Sequence, residues 1–316
     1  MRVNAGKCET GTKAQGGGLA LAALAALVLT AAPAIALDSA APSAPAKISP
    51  KSFTSGGAAL RAGIEELNAG DPASSVAPLT YAAEAGEEMA RWKLGEMYAD
   101  GVGVQRDDLK AYQYFSQLIQ DYDEDSPDQK YRSAISNAYV AVGVYSLTGI
   151  PGTDVRPEPE RARELFHYAA LTFKDPNAEY DIAHMYLVGA GGLKDNITAA
   201  RWLSLASDKG HLPSQAVLGH LLYSGDGVPQ QRVRGLMWLL ISRSGAQSPK
   251  DDWIRDLCDR DLATASDKDR KAASDLVDER TKGQPFPIII SRSIIKTLQF
   301  LRPFNISAAA GPKQGE

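Results

Sequence analysis

The sequence predicts an all-α protein, a right-handed solenoid of stacked helix–turn–helix units. Three observations carry that prediction. First, four segments share one pattern, Ala90–Tyr98, Ala138–Tyr145, Ala178–Tyr186 and Ser214–Tyr223, with small or apolar residues at helical spacing and an aromatic at the end. Second, one position in each segment is always tiny: Gly95, Gly143, Ala183 and Gly219, spaced 48, 40 and 36 residues apart. Third, glycines follow each aromatic, as in Gly101-Val102-Gly103-Val104, Gly189-Ala190-Gly191 and Gly225-Asp226-Gly227-Val228. A recurrence of this length built from helix pairs is the mark of a solenoid.

The tiny position has a physical reason. Glycine inside a helix costs about 1 kcal/mol relative to alanine, so its return in successive units points to close helix–helix approach. A second helix follows each glycine loop: Asp108–Gln120, Glu160–Thr172, Asn196–Ser207 and Arg232–Ser244. Asp71-Pro72, Asp175-Pro176 and Ser248-Pro249 place a capping side chain before a proline at the first helical position. Gly86, Gly210 and Gly245 are expected to close helices in the left-handed conformation. Flanking hairpins are expected at Ala58–Leu67 with Pro72–Ala85, and at Trp253–Ala263 with Lys268–Lys282. The last helix has one apolar and one charged face, which suits a terminal cap.

Outside this core the composition changes. Residues 1–36 read as a signal peptide: Arg2, Lys7 and Lys13 precede the apolar run Leu19–Ala32, and Ala34-Ile35-Ala36 places cleavage after Ala36. That run is short for a membrane span, which needs about 20 apolar residues. Residues 37–55, rich in Ala, Pro and Ser, read as a flexible leader, residues 56–282 as the solenoid, and residues 283–316 as a tail with its own composition. In the tail, Ile288-Ile289-Ile290, Ile294-Ile295, Leu298 and Phe300-Leu301 alternate with Arg292, Lys296 and Arg302. Such a stretch fits a membrane surface, a strap on the last hairpin or a disordered end.

Charge and reactive residues bound the function. Removing residues 1–36 takes away three bases and one acid and moves the net charge from −4 to −6. No basic patch is left to hold a nucleic acid. Cys258 becomes the sole cysteine of the mature chain and, at helical spacing in Trp253–Cys258, reads as a small core residue. His167, His184, His211 and His220 fall into no metal-ligand spacing. Asp121-Tyr122-Asp123-Glu124-Asp125 lacks the glycine and late glutamate of a calcium hand and reads as a solvated loop, or one open to a protease or partner. No phosphate loop, dinucleotide fingerprint or nucleophile elbow appears, so the chain is expected to be no enzyme and to need no cofactor or metal.

The units read Ala-x-x-x-Leu-Gly-x-x-Tyr, then Gly-x-Gly-Val, then Ala-Ala-x-x-Gly near the end of the second helix, plainest in Tyr81–Gly86. Over roughly residues 58 to 245 they resemble Sel1-like repeats, relatives of the tetratricopeptide repeat. The departures narrow the resemblance. The acidic insertion Tyr122–Tyr131, Gly149-Ile150-Pro151-Gly152-Thr153 through Arg156, and Ser248-Pro249-Lys250-Asp251 look like the ExoR family. That resemblance implies a periplasmic negative regulator of exopolysaccharide production. It further implies binding to the periplasmic domain of a sensor histidine kinase, relieved by a protease. The alternative is a cell-envelope scaffold. In related solenoids the first helices line the inner curve, and the exposed aromatic and polar residues expected there to bind a partner are Arg91, Glu96, Tyr180, His184 and His220.

Overall fold

A computed structural model describes residues 53–125 and 131–282. The signal-peptide and leader readings before residue 53, and the tail readings after residue 282, lie outside the described residues, as does part of the acidic insertion. Among the described residues the regular structure is entirely helical. Ten helices form five successive antiparallel pairs: α1 Gly56–Asn68 with α2 Pro72–Glu84, α3 Glu88–Asp100 with α4 Asp108–Gln120, α5 Arg132–Thr148 with α6 Pro159–Tyr168, α7 Pro176–Val188 with α8 Asn196–Asp208, and α9 Leu212–Ser224 with α10 Arg232–Gly245. Two more, α11 Asp252–Thr264 and α12 Asp267–Thr281, close the array.

The tiny positions sit where each pair closes. A Cβ at Gly143 would lie 2.5 Å from the ring of Phe166 on α6, and one at Gly95 would run into the ring of Phe115 on α4. At Gly219 the obstacles are Leu239 Cγ at 2.8 Å and the Gly235 carbonyl at 3.0 Å. Phe115, Phe166 and Leu239 are fully buried, so the missing side chain on one helix is the room for a large one on the other.

The second glycine of each loop performs a different task. Gly103 rests on the backbone of Pro72, Gly191 lies 3.1 Å (as Cβ) from Pro159, and Gly227 lies 2.5 Å (as Cβ) from Asn196 Nδ2. Pro72, Pro159 and Asn196 are the first residues of α2, α6 and α8, so each loop is seated on the second helix of the unit before. The sequence accounts for these glycines as tight turns within a unit. The structure adds that they stack one unit on the next. The aberrant loop at Gly149 solves the same problem differently: Ile150 enters the core, and the Tyr145 hydroxyl donates to Asp108, the first residue of α4, at 3.3 Å.

Helix starts follow the expected chemistry. Asp71 accepts from Ser74 N at 3.1 Å, Asp175 from Asn177 N at 2.8 Å, and Asp107 and Asp195 cap α4 and α8 in the same way. Each such cap is worth about 1 kcal/mol. Ser248 caps a three-residue 3₁₀ turn, Pro249–Asp251, which leads into α11. Gly86 and Gly210 have φ of 92° and 88°, as expected for helix-closing glycines. Gly245 departs from that reading: it is the buried last residue of α10 and has no left-handed φ. The trailing hairpin is also corrected. α11 packs on α9 and α10, and α12 packs on α10, rather than the two closing on each other.

The core is segmented. One cluster joins α1, α2 and α3 around Leu79 and Leu94. A second joins α3, α4 and α5 around Phe115, and a third joins α5 through α7 around Phe166. The largest runs from α7 to α12 around Trp238. Each unit therefore depends chiefly on its immediate neighbours, the defining property of a solenoid.

Candidate protein-interaction surface

One turn before the tiny position, the first helices carry Arg91, Tyr139, Glu179 and Gln215. Three of these reach the far end of their own second helix. Arg91 pairs with Asp121, the Tyr139 ring lies 4.5 Å from that of Tyr168, and Glu179 accepts a charge-assisted hydrogen bond from Lys209. The chemistry changes from ion pair to aromatic pair and back, while the geometry repeats. Gln215 breaks the series by donating at 3.1 Å to the Ser207 carbonyl of the preceding helix.

The residue after the tiny position is Glu96, Val144, His184 or His220. Glu96 accepts from Lys93 at 2.9 Å within α3. His220 Nδ1 lies 2.7 Å from Asp261 Oδ2 on α11, and Tyr223 and Thr264 exchange a hydrogen bond one turn along. Burial holds the His184 imidazole below its usual pKa. Tyr180 meets His211 edge to face at 5.3 Å, and burial next to Asp181 opposes ionisation of its phenol.

These contacts change the account of the five residues expected to meet a partner. Their side chains are half-buried, not exposed: Arg91 retains 16%, Glu96 20% and His220 18% of its accessible surface. The cause is neighbouring structure. Arg91 is engaged by Asp121 just beyond α4, and His220 by Asp261 on α11. Arg91 and His220 thus hold successive elements together, and a charge reversal at Arg91 would disturb that before it touched a partner.

The acidic insertion is anchored at its described start. Tyr122 joins an aromatic cluster with Tyr139, Tyr168 and Phe173, and the Tyr168 hydroxyl donates to Glu124 at 3.1 Å. Burial and the Glu124 carboxylate both raise the Tyr168 pKa. Phe173 ends a π-helical turn, Ala169–Phe173, and carries the Arg132 guanidinium over its ring at 5.0 Å. Tyr122, Tyr139, Tyr168 and Phe173 are each visible in the sequence. Their meeting is not, because it requires the widened turn that carries Phe173 back over α5.

Helix α7 and the start of α9 hold buried polar contacts that the sequence pattern does not reveal. Asp175 accepts from Ser136 Oγ at 2.6 Å, and Asp181, 2% exposed, is held well above the usual carboxylate range by burial. His211 Nδ1 and Ser214 Oγ are 2.8 Å apart, a pair that resembles a base and its nucleophile. Both are sealed from solvent, and burial lowers His211 to about 3, so the pair serves the start of α9. Cys258 is fully buried against Ser242, and its thiol is pushed up to about 11. Among the described residues no three His, Cys, Asp or Glu side chains converge as metal ligands. A cleft of about 300 Å³ lies between α2 and α4, but its Tyr98 and Tyr114 rings stack on each other and Lys110 covers Tyr98. Asn196-Ile197-Thr198 has the form of a glycosylation sequon, but the Asn196 side chain is buried and its amide donates to the Asp226 carbonyl beneath Gly227.

Comparisons with known proteins agree with this architecture. The Sel1 repeat family model matches residues 89–120, 136–171, 176–211 and 212–243. These stretches follow the four pairs from α3 to α10. The α1–α2 pair, included in the resemblance read from residue 58, lies before the matched stretches. The chain is 34% identical over 215 residues to an exopolysaccharide production negative regulator of Rhizobium leguminosarum bv. viciae, covering 68% of this chain and 78% of that one. It is 33% identical over 217 residues to the protein of the same name in Rhizobium meliloti, with the same coverage. Among solved structures, a protective antigen of uropathogenic Escherichia coli with an SLR fold superposes with a TM-score of 0.59 at 20% identity. That match covers 83% of this chain and 50% of the antigen. A Sel1 repeat protein of Oxalobacter formigenes gives 0.53 at 21% identity, covering 71% and 88%. The fold is thus shared with Sel1 repeat solenoids, and the chain belongs to the ExoR family of Sel1-repeat proteins.

Proposed function

We propose that this protein is a non-catalytic negative regulator of exopolysaccharide production. In this reading it is exported to the periplasm, where it holds the periplasmic domain of a sensor histidine kinase inactive until a protease removes it. The observation that carries the regulator role is the match to two relatives of that name, each over more than two thirds of its own length. The solenoid supports a binding role, since stacked helical pairs offer a broad continuous surface. Export rests on the sequence of residues 1–36. Among the described residues no helix is long and apolar enough to cross a membrane.

Deletion of the gene tests the whole reading. Surface polysaccharide is expected to rise several-fold, together with phosphorylation of the kinase's response regulator. Unchanged levels of both would overturn it. Cell fractionation with N-terminal sequencing tests export: the mature chain is expected in the periplasmic fraction and to begin at Leu37.

A further inference from the structure

The α7–α8 turn is built unlike its counterparts. Three residues before the N-cap of the second helix, the first and last matched repeats have Val104 and Val228, and both pack against the core. The third has Gly192 there. A Cβ on Gly192 would lie 2.9 Å from Arg163 Nη1, because the Arg163 guanidinium has reached across from α6 to bond the Gly191 carbonyl. The aliphatic residue is moved on by one position, to Leu193, where it is 90% exposed. Other units have Gln105 and Pro229 at that position.

Two more aliphatic residues frame it. Val188, at the end of α7, is 54% exposed where the other units have Asp100, Thr148 and Ser224. Ile197, in the first turn of α8, is 50% exposed. The loop is short and held at its base, where Asp195 N donates to the Tyr186 carbonyl at 2.9 Å. Of the remaining half-exposed aliphatics, Val102 and Leu171 belong to other units and Leu205 lies two turns further along α8. Lys194 and Arg201 flank the trio and enter no ion pair closer than 4.0 Å among the described residues, while Asp195 is occupied as the cap of α8.

From the transposed Leu193 between Val188 and Ile197, flanked by Lys194 and Arg201, we infer that the α7–α8 turn is a docking knob that inserts into an apolar, acid-rimmed pocket on a partner protein. Three features select that occupant. Leu193 stands 90% exposed, so whatever buries it must close around it, which excludes a small molecule enclosed by this loop alone. Two exposed cations, on a chain that is acidic overall, call for an acidic rim. A bilayer is the weaker match, because stable anchoring takes two strong signals and interfacial loops favour aromatic residues, of which the knob has none. A leucine on a loop pinned at its base also loses little backbone entropy on binding.

The inference rests on the proposed kinase reading for the identity of the partner, and the test separates the two. The full-length secreted chain is titrated against the purified periplasmic domain of the kinase by interferometry. Leu193→Ser is expected to weaken binding at least tenfold and Lys194→Glu several-fold, with circular dichroism unchanged, while Val102→Ser has no effect. Binding by Leu193→Ser equal to that of the intact chain would overturn the knob and leave the kinase reading standing. If the intact chain does not bind, the kinase reading fails, and the knob is judged in cells. There Leu193→Ser at wild-type abundance must raise surface polysaccharide, and unchanged polysaccharide overturns it. Flotation of the intact chain, but not of Leu193→Ser, with phosphatidylglycerol vesicles would assign the knob to a membrane and overturn the protein-pocket assignment.

Discussion

At the scale of single residues, the same position in successive units is set by what lies opposite. Gly95 and Gly143 face phenylalanine rings, and that geometry fixes the sign of a substitution. Gly95→Ala gains helix propensity but forces its methyl into Phe115, which is fully buried and cannot retreat. The expected net loss is about 1–2 kcal/mol, seen as a lower Tm in a thermal melt. Asp181 and His211 provide a test with opposite signs. Burial raises the Asp181 pKa, so its charged form costs stability as pH rises. Asp181→Asn is therefore expected to raise Tm at pH 7, with the gain vanishing below about pH 4, where the carboxyl is neutral in both folded and unfolded chains. His211 behaves in the reverse way. Its folded pKa of about 3 lies below the unfolded value, so its contribution is intact above about pH 6.5 and is lost as pH falls toward 3. A melt series from pH 3 to 8 on the intact chain, Asp181→Asn and His211→Gln checks the pair.

At the scale of elements, the repeated tie between a first helix and the tip of its second helix is the feature to probe. Arg91–Asp121 is partly solvated, and a double-mutant cycle is expected to give a coupling below about 1 kcal/mol. Glu179–Lys209 differs, because the Glu179 side chain is only 3% exposed. Removing the lysine strands a buried carboxylate, whereas removing the charge of the acid does not. Lys209→Met is thus expected to cost more than Glu179→Gln, by roughly 1–3 kcal/mol in chemical unfolding. Equal costs would show that Glu179 is protonated in the folded chain.

At the scale of the whole array, the segmented core predicts graded stability. Destabilising α3 with Gly95→Ala is expected to speed amide exchange in α2 to α5 and to leave α9 to α12 protected. Uniform acceleration along the chain would mean that the units fold as one block. Cys258 reports the far end of the array. Being fully buried with a raised pKa, it is expected to resist a thiol reagent until α10 and α11 open.

The sequence by itself determined the helices, their order and most of their caps. All of these depend on interactions within four residues of each other along the chain, as Asp175 to Asn177 and Ala178 illustrates. It also marked Gly95, Gly143 and Gly219 as close-packing positions, because glycine inside a helix is costly and returns only where space demands it. What only the tertiary structure decided is which side chains remain available. Arg91 and His220 look exposed on a helix taken alone, but Asp121 lies 30 residues away and Asp261 lies 41 residues away, and folding pairs each side chain with its distant carboxylate. Leu193 is the converse. Its place one residue beyond that of Val104 and Val228 is legible in the sequence, but its exposure is not, because it is the Arg163 guanidinium, arriving from the preceding unit, that fills the inner site and leaves the leucine outside. Exposure is a property of neighbours, and a solenoid brings those neighbours from adjacent units at distances along the chain that no local pattern encodes.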